Sequence, residues 1–346
     1  MPHCPRPLQQ NTSARNHGRH TASRRLPFCK ADAGGLSFRY IHIREGHVMR
    51  IMTYNIQYGK GRDDQYDIIR SAEVMAGADI VGIQEIESCW DRSGNVDQLE
   101  ALAGHLREKG QTVFTAFGTT VDIHKLLPPG ESKSQAVRRR FGNAILSRWP
   151  VLSVRTFLFP TKLTPLNAHS IQRGVTEAVI DCPSGPLRIY TCHLSHLSEE
   201  ERLEQAQFIL QLHRNAALNG PASSGDHPDR SWLEDPLPAV PGEAILMGDF
   251  NAQPGGPVYS ALVGASHPHY GRLFEPDRFV DSWSALGYSE TAGATLYRDW
   301  DAKAGIRIDY IMVSAGLANR LVAAEVLKDA DASDHQPLTV ELKDTV

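Results

Sequence analysis

The sequence predicts one α/β domain over residues 49–346, preceded by an extension, residues 1–48, that shares none of its patterning. Three observations lead there. From Met49 onward, short apolar runs alternate with stretches of helical period. The composition, 41% apolar and 22% charged over 346 residues, is that of a globular chain long enough to bury a sizeable core unaided. Chemically capable polar residues also recur where the apolar runs end.

The balance of the composition narrows the function classes. A formal charge of −4 does not resemble a protein dominated by a nucleic-acid footprint, although a local basic groove can hide within an acidic total. The five cysteines form no CxxC pair and cannot all be bridged within the chain, which reads as reduced thiols of a cytoplasmic protein. No apolar run approaches the ~18 residues of a membrane span.

The extension carries Arg6, Arg15, Arg19, Arg24, Arg25, Lys30, Arg39 and Arg44 against Asp32 and Glu45. With so little apolar surface to bury, it is expected to be disordered. A basic, acid-poor start also mimics a transit peptide. Met49 stands directly before the first strand, however, and would make a natural start, so an upstream extension without function is the favoured reading.

The domain then reads as follows. Arg50 to Gln57 forms a strand, closed by a turn at Gly59-Lys60-Gly61. Asp67 to Met75 is helical, and the apolar run Asp79 to Gln84 is a buried strand. Asn95 to Lys109 places Val96, Leu99, Leu102 and Leu106 on one helical face. Ala144 to Leu146, Gly174 to Ile180 and Leu187 to Cys192 are strands. Ser198 with Glu201 is a capping box, opening a helix whose stripe is Leu203, Ala206, Leu210 and Ala217. Asn219 to Gly242 is a long loop rich in Pro, Ser and Gly, and the strand Ala244 to Met247 resumes the rhythm. Ile308 to Val313 and Leu338 to Leu342 are the closing strands, while His267 to Phe279 carries no placed motif.

Asn55, Glu85, His193, Asp249 with Asn251, and Asp309 are read at strand ends, with Asp334-His335 just before the last strand. Strand ends in α/β sheets are where ligands bind, so residues far apart in sequence can converge there. Singly these residues mean little, since an Asn after a strand is commonly a turn residue. Together they supply carboxylates, asparagines and histidines without zinc-ligand spacing, and such hard donors suit Mg²⁺, or Mn²⁺, better than Zn²⁺.

The runs Thr53-Tyr54-Asn55-Ile56, Ile83-Gln84-Glu85-Ile86, Thr191-Cys192-His193-Leu194, Gly248-Asp249-Phe250-Asn251-Ala252-Gln253-Pro254, Arg307-Ile308-Asp309-Tyr310-Ile311 and Ser333-Asp334-His335 resemble, in order, the endonuclease/exonuclease/phosphatase superfamily. The resemblance implies a four-layered sandwich of two packed mixed, mostly antiparallel β-sheets flanked by helices. It also implies divalent-metal hydrolysis of phosphate esters. By it, Glu85 is the principal metal ligand, assisted by Asn55 and Asp334, and Asp249 orients and deprotonates the attacking water. Asn251 holds the scissile phosphate or that water, and His335 donates to a phosphoryl oxygen. Asp309 fixes the His335 tautomer, while His193 is a second phosphate donor.

Phe141-Gly142-Asn143-Ala144 and Gln172-Arg173-Gly174 also match segments seen in the superfamily. They make Asn143 a candidate substrate contact and Arg173 a phosphate fork, against the readings of a loop cap and a surface charge. Lys133, Arg138, Arg139 and Arg140 read as a solvated loop or a phosphate-steering rim. Without a basic face or an apolar wedge, the favoured substrate is a small-molecule or lipid-derived phosphodiester. A DNA or RNA nuclease is the alternative. A binding module without catalysis would be expected to lack Glu85, Asp249 or His335, and all are present. The sequence specifies no oligomeric state, and a monomer satisfies every feature read from it.

Overall fold

The alternating strands resolve into two six-stranded sheets packed face to face. The computed structural model describes residues 48–126, 137–165, 167–221, 223–232, 240–299 and 304–344. The extension expected to be disordered, and Lys133 of the basic run, lie outside the described residues. In chain order the strands are β1 (Val48–Asn55), β2 (Ile80–Ser88), β3 (Phe114–His124), β4 (Arg138–Ser147), β5 (Val151–Leu158), β6 (Gly174–Cys182), β7 (Gly185–His193) and β8 (Ala244–Asp249). There follow β9 (Ser266–His267), β10 (Gly271–Arg272), β11 (Phe279–Asp281), β12 (Leu296–Asp299), β13 (Ala304–Ile306), β14 (Asp309–Ser314), β15 (Leu321–Val326) and β16 (Leu338–Lys343).

The first sheet runs β15-β16-β1-β2-β4-β3 and the second β11-β14-β8-β7-β6-β5. Within them β1–β2 and β7–β8 pair in parallel, and the other pairings are antiparallel. The helices are α1 (Ile68–Met75), α2 (Gln98–Glu108), α3 (Glu199–Arg214), α4 (Ala216–Asn219), α5 (Pro257–Val263) and α6 (Ser282–Ala285).

Burial explains the layering. Ile51, Ile80 and Ile145 of the first sheet meet Ile189, Met247 and Ile311 of the second in one apolar cluster between the sheets. Ala72, Met75, Leu102 and Leu106 of α1 and α2 cover the outer face of the first sheet against Met52, Val81 and Leu146. Ala206, Ile209, Val258 and Leu262 of α3 and α5 cover the second, against Tyr190, Leu246 and Met312. The central strands are therefore buried on both faces, which is why they read as continuous apolar runs. Helix starts follow local chemistry: Asp67 accepts from Ile69 N, Asp97 from Glu100 N and Ser198 from Glu201 N, each cap contributing about 1 kcal/mol.

Several elements differ from the sequence reading. The strands β3 and β5 were not anticipated, because half-exposed, polar-rich alternation such as that of Phe114–His124 gives a weak signal. Arg138, Arg139 and Arg140 belong to β4 and not to a loop. Helix α2 begins at Gln98, leaving Val96 exposed before its Asp97 cap. Helix α3 stops at Arg214, so that Ala216 is buried and Ala217 exposed. The unplaced segment after His267 contributes the short β9–β10 pair.

Candidate active site

Both parallel strand pairs end at the same edge of the sandwich, and that edge gathers the candidate residues. Asn55 ends β1 opposite Gln84 of β2. His193 ends β7 beside Asp249, the last residue of β8. Asp309 does not end a strand, as its apolar context suggested, but opens β14; antiparallel pairing sets it opposite Asp249 all the same. Gly248 permits this crowding: it sits at φ +148, and a Cβ there would stand 1.9 Å from the carbonyl oxygen of Cys192.

Glu85 also departs from expectation. The strand β2 continues past it to Ser88, and the register slips between Ile83 and Ile86. Glu85 occupies this bulge at φ 59, a left-handed conformation that turns its side chain off the normal alternation. Asn251, Gln57 and Tyr58 are likewise left-handed non-glycine residues, at φ 48, 44 and 46. Such conformations persist only where the surroundings enforce them.

Side chains from the two sheets meet in a hydrogen-bonded seam. Asn55 Nδ2 donates to Asp249 Oδ2 at 3.0 Å, and Asn251 N donates to Asp249 Oδ1 at 2.9 Å. His335 Nδ1 lies 2.9 Å from Asp309 Oδ2, with its Nε2 3.6 Å from Asp249 Oδ2. Burial, followed by the neighbouring Asp309, lifts Asp249 above the usual carboxylate range. Burial alone would lower His335, but Asp309 and Asp249 outweigh it and raise this imidazole well above its ordinary range. Ligand atoms of Asp249, Asp309 and His335 lie within 4.8 Å of one another. With Nδ1 engaged with Asp309 and Nε2 facing Asp249, the His335 ring lies between the two carboxylates, an arrangement that can pass a proton.

The hard-donor group lies beside it. The Glu85 side chain keeps 19% of its surface exposed, and burial, opposed chiefly by Arg173, leaves its pKa raised. The neighbouring Asp334 adds like charge, and Asp334 Oδ2 accepts from Gln57 Nε2 at 3.0 Å. Two carboxylates and the Asn55 amide, incompletely compensated, fit a hard divalent cation.

On the other flank, Arg173 Nη1 lies 2.9 Å from His193 Nδ1, and its Nη2 lies 3.2 Å from His196 Nδ1. Arginine only donates, so both Nδ1 atoms are acceptors and both neutral rings carry the proton on Nε2. Burial and then Arg173 hold His193 well below the usual histidine range. Its Nε2–H then points to Asp249 Oδ2 at 3.3 Å, and the Asn251 Nδ2 nearby donates to Leu194 O at 3.1 Å. Arg173 is buried and not the surface charge of the bland reading. Asn143 is no loop cap either: it sits within β4, and its Nδ2 donates across the sandwich to Gly174 O at 3.0 Å.

Sequence reasoning missed three supports. Thr295, fully buried, accepts from Ile308 N at 3.2 Å and Asp309 N at 3.1 Å, while its carbonyl accepts from Gln336 N at 2.6 Å. It thereby ties the Asp309 and His335 segments together. The Ser333 hydroxyl donates to Asn55 O at 2.7 Å and accepts from His335 N at 3.2 Å. Arg307, unexposed at its side chain, reaches Asp281 at 2.7 Å and steadies the approach to β14. Only a motif-neighbour signal (Arg307, Ser333) was available for two of them; Thr295 lies in no patterned run.

Comparison with known proteins agrees with this geometry. The family model described as "Endonuclease/Exonuclease/phosphatase family" matches residues 52–335, and the chain belongs to that family. Its members are hydrolases of phosphate esters and generally depend on divalent metals. A search among curated proteins finds no match. Among solved structures, an endonuclease/exonuclease/phosphatase from Beutenbergia cavernae is similar at 22% identity and TM-score 0.55, covering 86% of this chain and 71% of that one. A family protein from Leptotrichia buccalis, at 17% identity and TM-score 0.55, covers 85% and 99%. The mannosyl-6-phosphatase Bt3783 of Bacteroides thetaiotaomicron, at 20% identity and TM-score 0.52, also covers 85% and 99%. At these identities the likeness is one of fold, and the two mixed sheets with outer helices match it.

Proposed function

We propose that this chain is a divalent-metal-dependent phosphodiesterase acting on a small-molecule or lipid-derived ester. The observation that carries the proposal is the seam in which Asp249 of one sheet meets Asn55 of the other, flanked by His335–Asp309 and by Glu85–Asp334. Glu85, Asn55 and Asp334 would hold Mg²⁺ or Mn²⁺, which supplies charge neutralisation for the phosphoryl oxygens when bound.

The chain's own residues do the rest. Asp249, its pKa lifted toward the working pH, takes the proton from the attacking water. One P–O bond forms from that water, one ester P–O bond breaks, and the leaving alcohol gains a proton from solvent. His335, held cationic by Asp309, and His193, presenting Nε2–H, donate to the charge that develops on phosphorus-bound oxygens. Asn251, anchored to Leu194 O at 3.1 Å, orients water or phosphate. Arg173 acts through His193 and His196, and Asn143 through the Gly174 backbone behind them.

A small substrate is favoured because most of the described basic rim is paired with carboxylates. Among the described residues, Arg92 pairs with Glu87, Arg138 with Asp122 and Arg140 with Asp97, at 2.6, 2.6 and 3.0 Å, and Arg139 lies over the Trp90 ring, which leaves fewer free cations there for a polyanion. The test is a panel of bis(p-nitrophenyl) phosphate, sphingomyelin, single-stranded RNA, an abasic duplex and a sugar monoester, with wild type beside Asp249→Ala. Hydrolysis of small diesters, falling more than ~10³-fold in Asp249→Ala, is expected, since single donors alone contribute ~10²–10³. Activity confined to the abasic duplex would overturn the substrate choice.

A further inference from the structure

The turn after β1 and the bulge of β2 carry the candidate metal donors on strained backbone, and one buried amide joins the two. Gln98 opens α2 and is 1% exposed. Its Oε1 accepts from Glu87 N at 3.0 Å, just past Glu85. Its Nε2 donates to Tyr58 O at 2.7 Å, just past Asn55. Gly59, at φ +79, makes room for this approach, since a Cβ there would stand 3.3 Å from Gln98 Nε2.

Both ends of that amide fall on segments that need outside support to keep their shape. Glu85 is left-handed at φ 59, and Gln57 and Tyr58 at φ 44 and 46. Each such residue costs about 1–3 kcal/mol and persists only where its surroundings impose it. Gln57 passes the restraint on, its N donating to Asn55 Oδ1 at 3.0 Å and its Nε2 to Asp334 Oδ2 at 3.0 Å. One side chain thus fixes both arms of the donor group: Glu85 through Glu87, and Asn55 with Asp334 through Tyr58 and Gln57. A second tie runs alongside. Arg92, from the connection just before α2, pairs with the unexposed Glu87 carboxylate through Nε at 3.0 Å and Nη2 at 2.6 Å. Its guanidinium lies 3.7 Å over the Tyr58 ring.

Resting on the proposed metal-binding role of Glu85, Asn55 and Asp334, we infer that Gln98 is a positioning residue for that group, seconded by Arg92. Both Gln98 bonds go to backbone, so it acts through the segments it joins and not on the reacting atoms. The Glu85 and Asp334 carboxylates repel each other. An arm released from this clasp relaxes toward ordinary backbone angles, and the donors cease to converge.

Mn²⁺ binding tests this, read as loss of the free-ion paramagnetic resonance signal when Mn²⁺ is titrated into the protein, with Glu85→Gln as control. Gln98→Leu, close in shape but unable to bond at either end, should bind Mn²⁺ about 10–100-fold more weakly than wild type, the usual effect of losing a partner that orients a ligand. The Mn²⁺ concentration for half-maximal hydrolysis should rise by the same factor, while kcat at saturating Mn²⁺ falls far less. Arg92→Lys keeps a charge facing Glu87 but loses the fork and the stack, and should weaken binding by a smaller factor. A folded Gln98→Leu with wild-type Mn²⁺ affinity overturns the inference, even if its unfolding temperature drops, because the glutamine is then merely structural. If Gln98→Leu does not fold, wild-type affinity in Arg92→Lys overturns it instead. Should Glu85→Gln bind Mn²⁺ as wild type does, the metal-binding reading is overturned and the inference falls with it. Loss of Mn²⁺ in Glu85→Gln alone, with Gln98→Leu and Arg92→Lys unaffected, overturns the inference and leaves that reading standing.

Discussion

The two halves of the site are built to different standards of order. Around Asp249, His335 and Asp309, every side chain is buried and held by partners at 2.9 to 3.6 Å. Around Glu85 and Asp334, the carboxylates reach solvent in part, Asp334 accepting from Gln57 and Ser333 and Glu85 sitting in a strained bulge. The first half is preorganised by protein alone. The second is a pair of neighbouring carboxylates opposed chiefly by Arg173. On the proposed function, the geometry that must not relax falls to buried hydrogen bonds, whereas the part that would exchange a ligand stays accessible.

That contrast can be broken at several places. Asp309→Asn should act on turnover, by ~10²–10³, because it removes the charge that keeps His335 cationic, and added metal should not restore it. Steady-state kinetics at several Mg²⁺ concentrations would check this. Glu85→Gln should instead lower metal affinity by more than the ~10–100-fold typical of an outer-sphere partner, with partial recovery at high Mg²⁺ or Mn²⁺. If both variants responded alike to metal, the division of labour would be wrong.

A subtler probe is Thr295→Val, which keeps shape but strands two buried N–H groups, at about 1–3 kcal/mol. Turnover should fall by up to ~10²-fold with KM little changed, and Thr295→Ser should recover most of it. The smallest effect lies away from the site. His213, its ring tilted 34° against Phe279 at 4.4 Å, is buried with its Nδ1 unpartnered, and desolvation lowers its pKa from 6.5 to about 4. Above pH 6.5 both folded and unfolded forms are neutral there, so nothing is lost. As pH falls from 6.5 toward 4 the unfolded chain takes the proton first, and up to about 3 kcal/mol of stability disappears. His213→Phe should flatten that acid limb in chemical denaturation at pH 5 while leaving pH 8 nearly unchanged.

What the sequence revealed depended on how local each cause was. The capping Ser198 and the apolar runs of β1, β2, β7 and β8 are local signals and were readable. The candidate residues were readable through ordered motifs, but their positions in the strands were not. Glu85 was placed at a strand end when it sits in a bulge, and Asp309 at an end when it opens its strand. Register slips and strand direction are settled by pairing partners distant in sequence. The same limit hid Thr295, whose value lies in four bonds to other segments. It also disguised Arg173, a charged residue that burial converts from surface decoration into a partner of two histidines.

The position of β16 has a consequence for biosynthesis. This last strand is not an edge: it lies between β15 and β1, the first strand, and Asp334 and His335 immediately precede it. While the ribosome is still translating the middle of the chain, the nascent first sheet has an open flank along β1 and lacks His335. Both the pairing partner that closes β1 and the candidate residues Asp334 and His335 therefore reach the sheet only when the last segment of the domain has emerged.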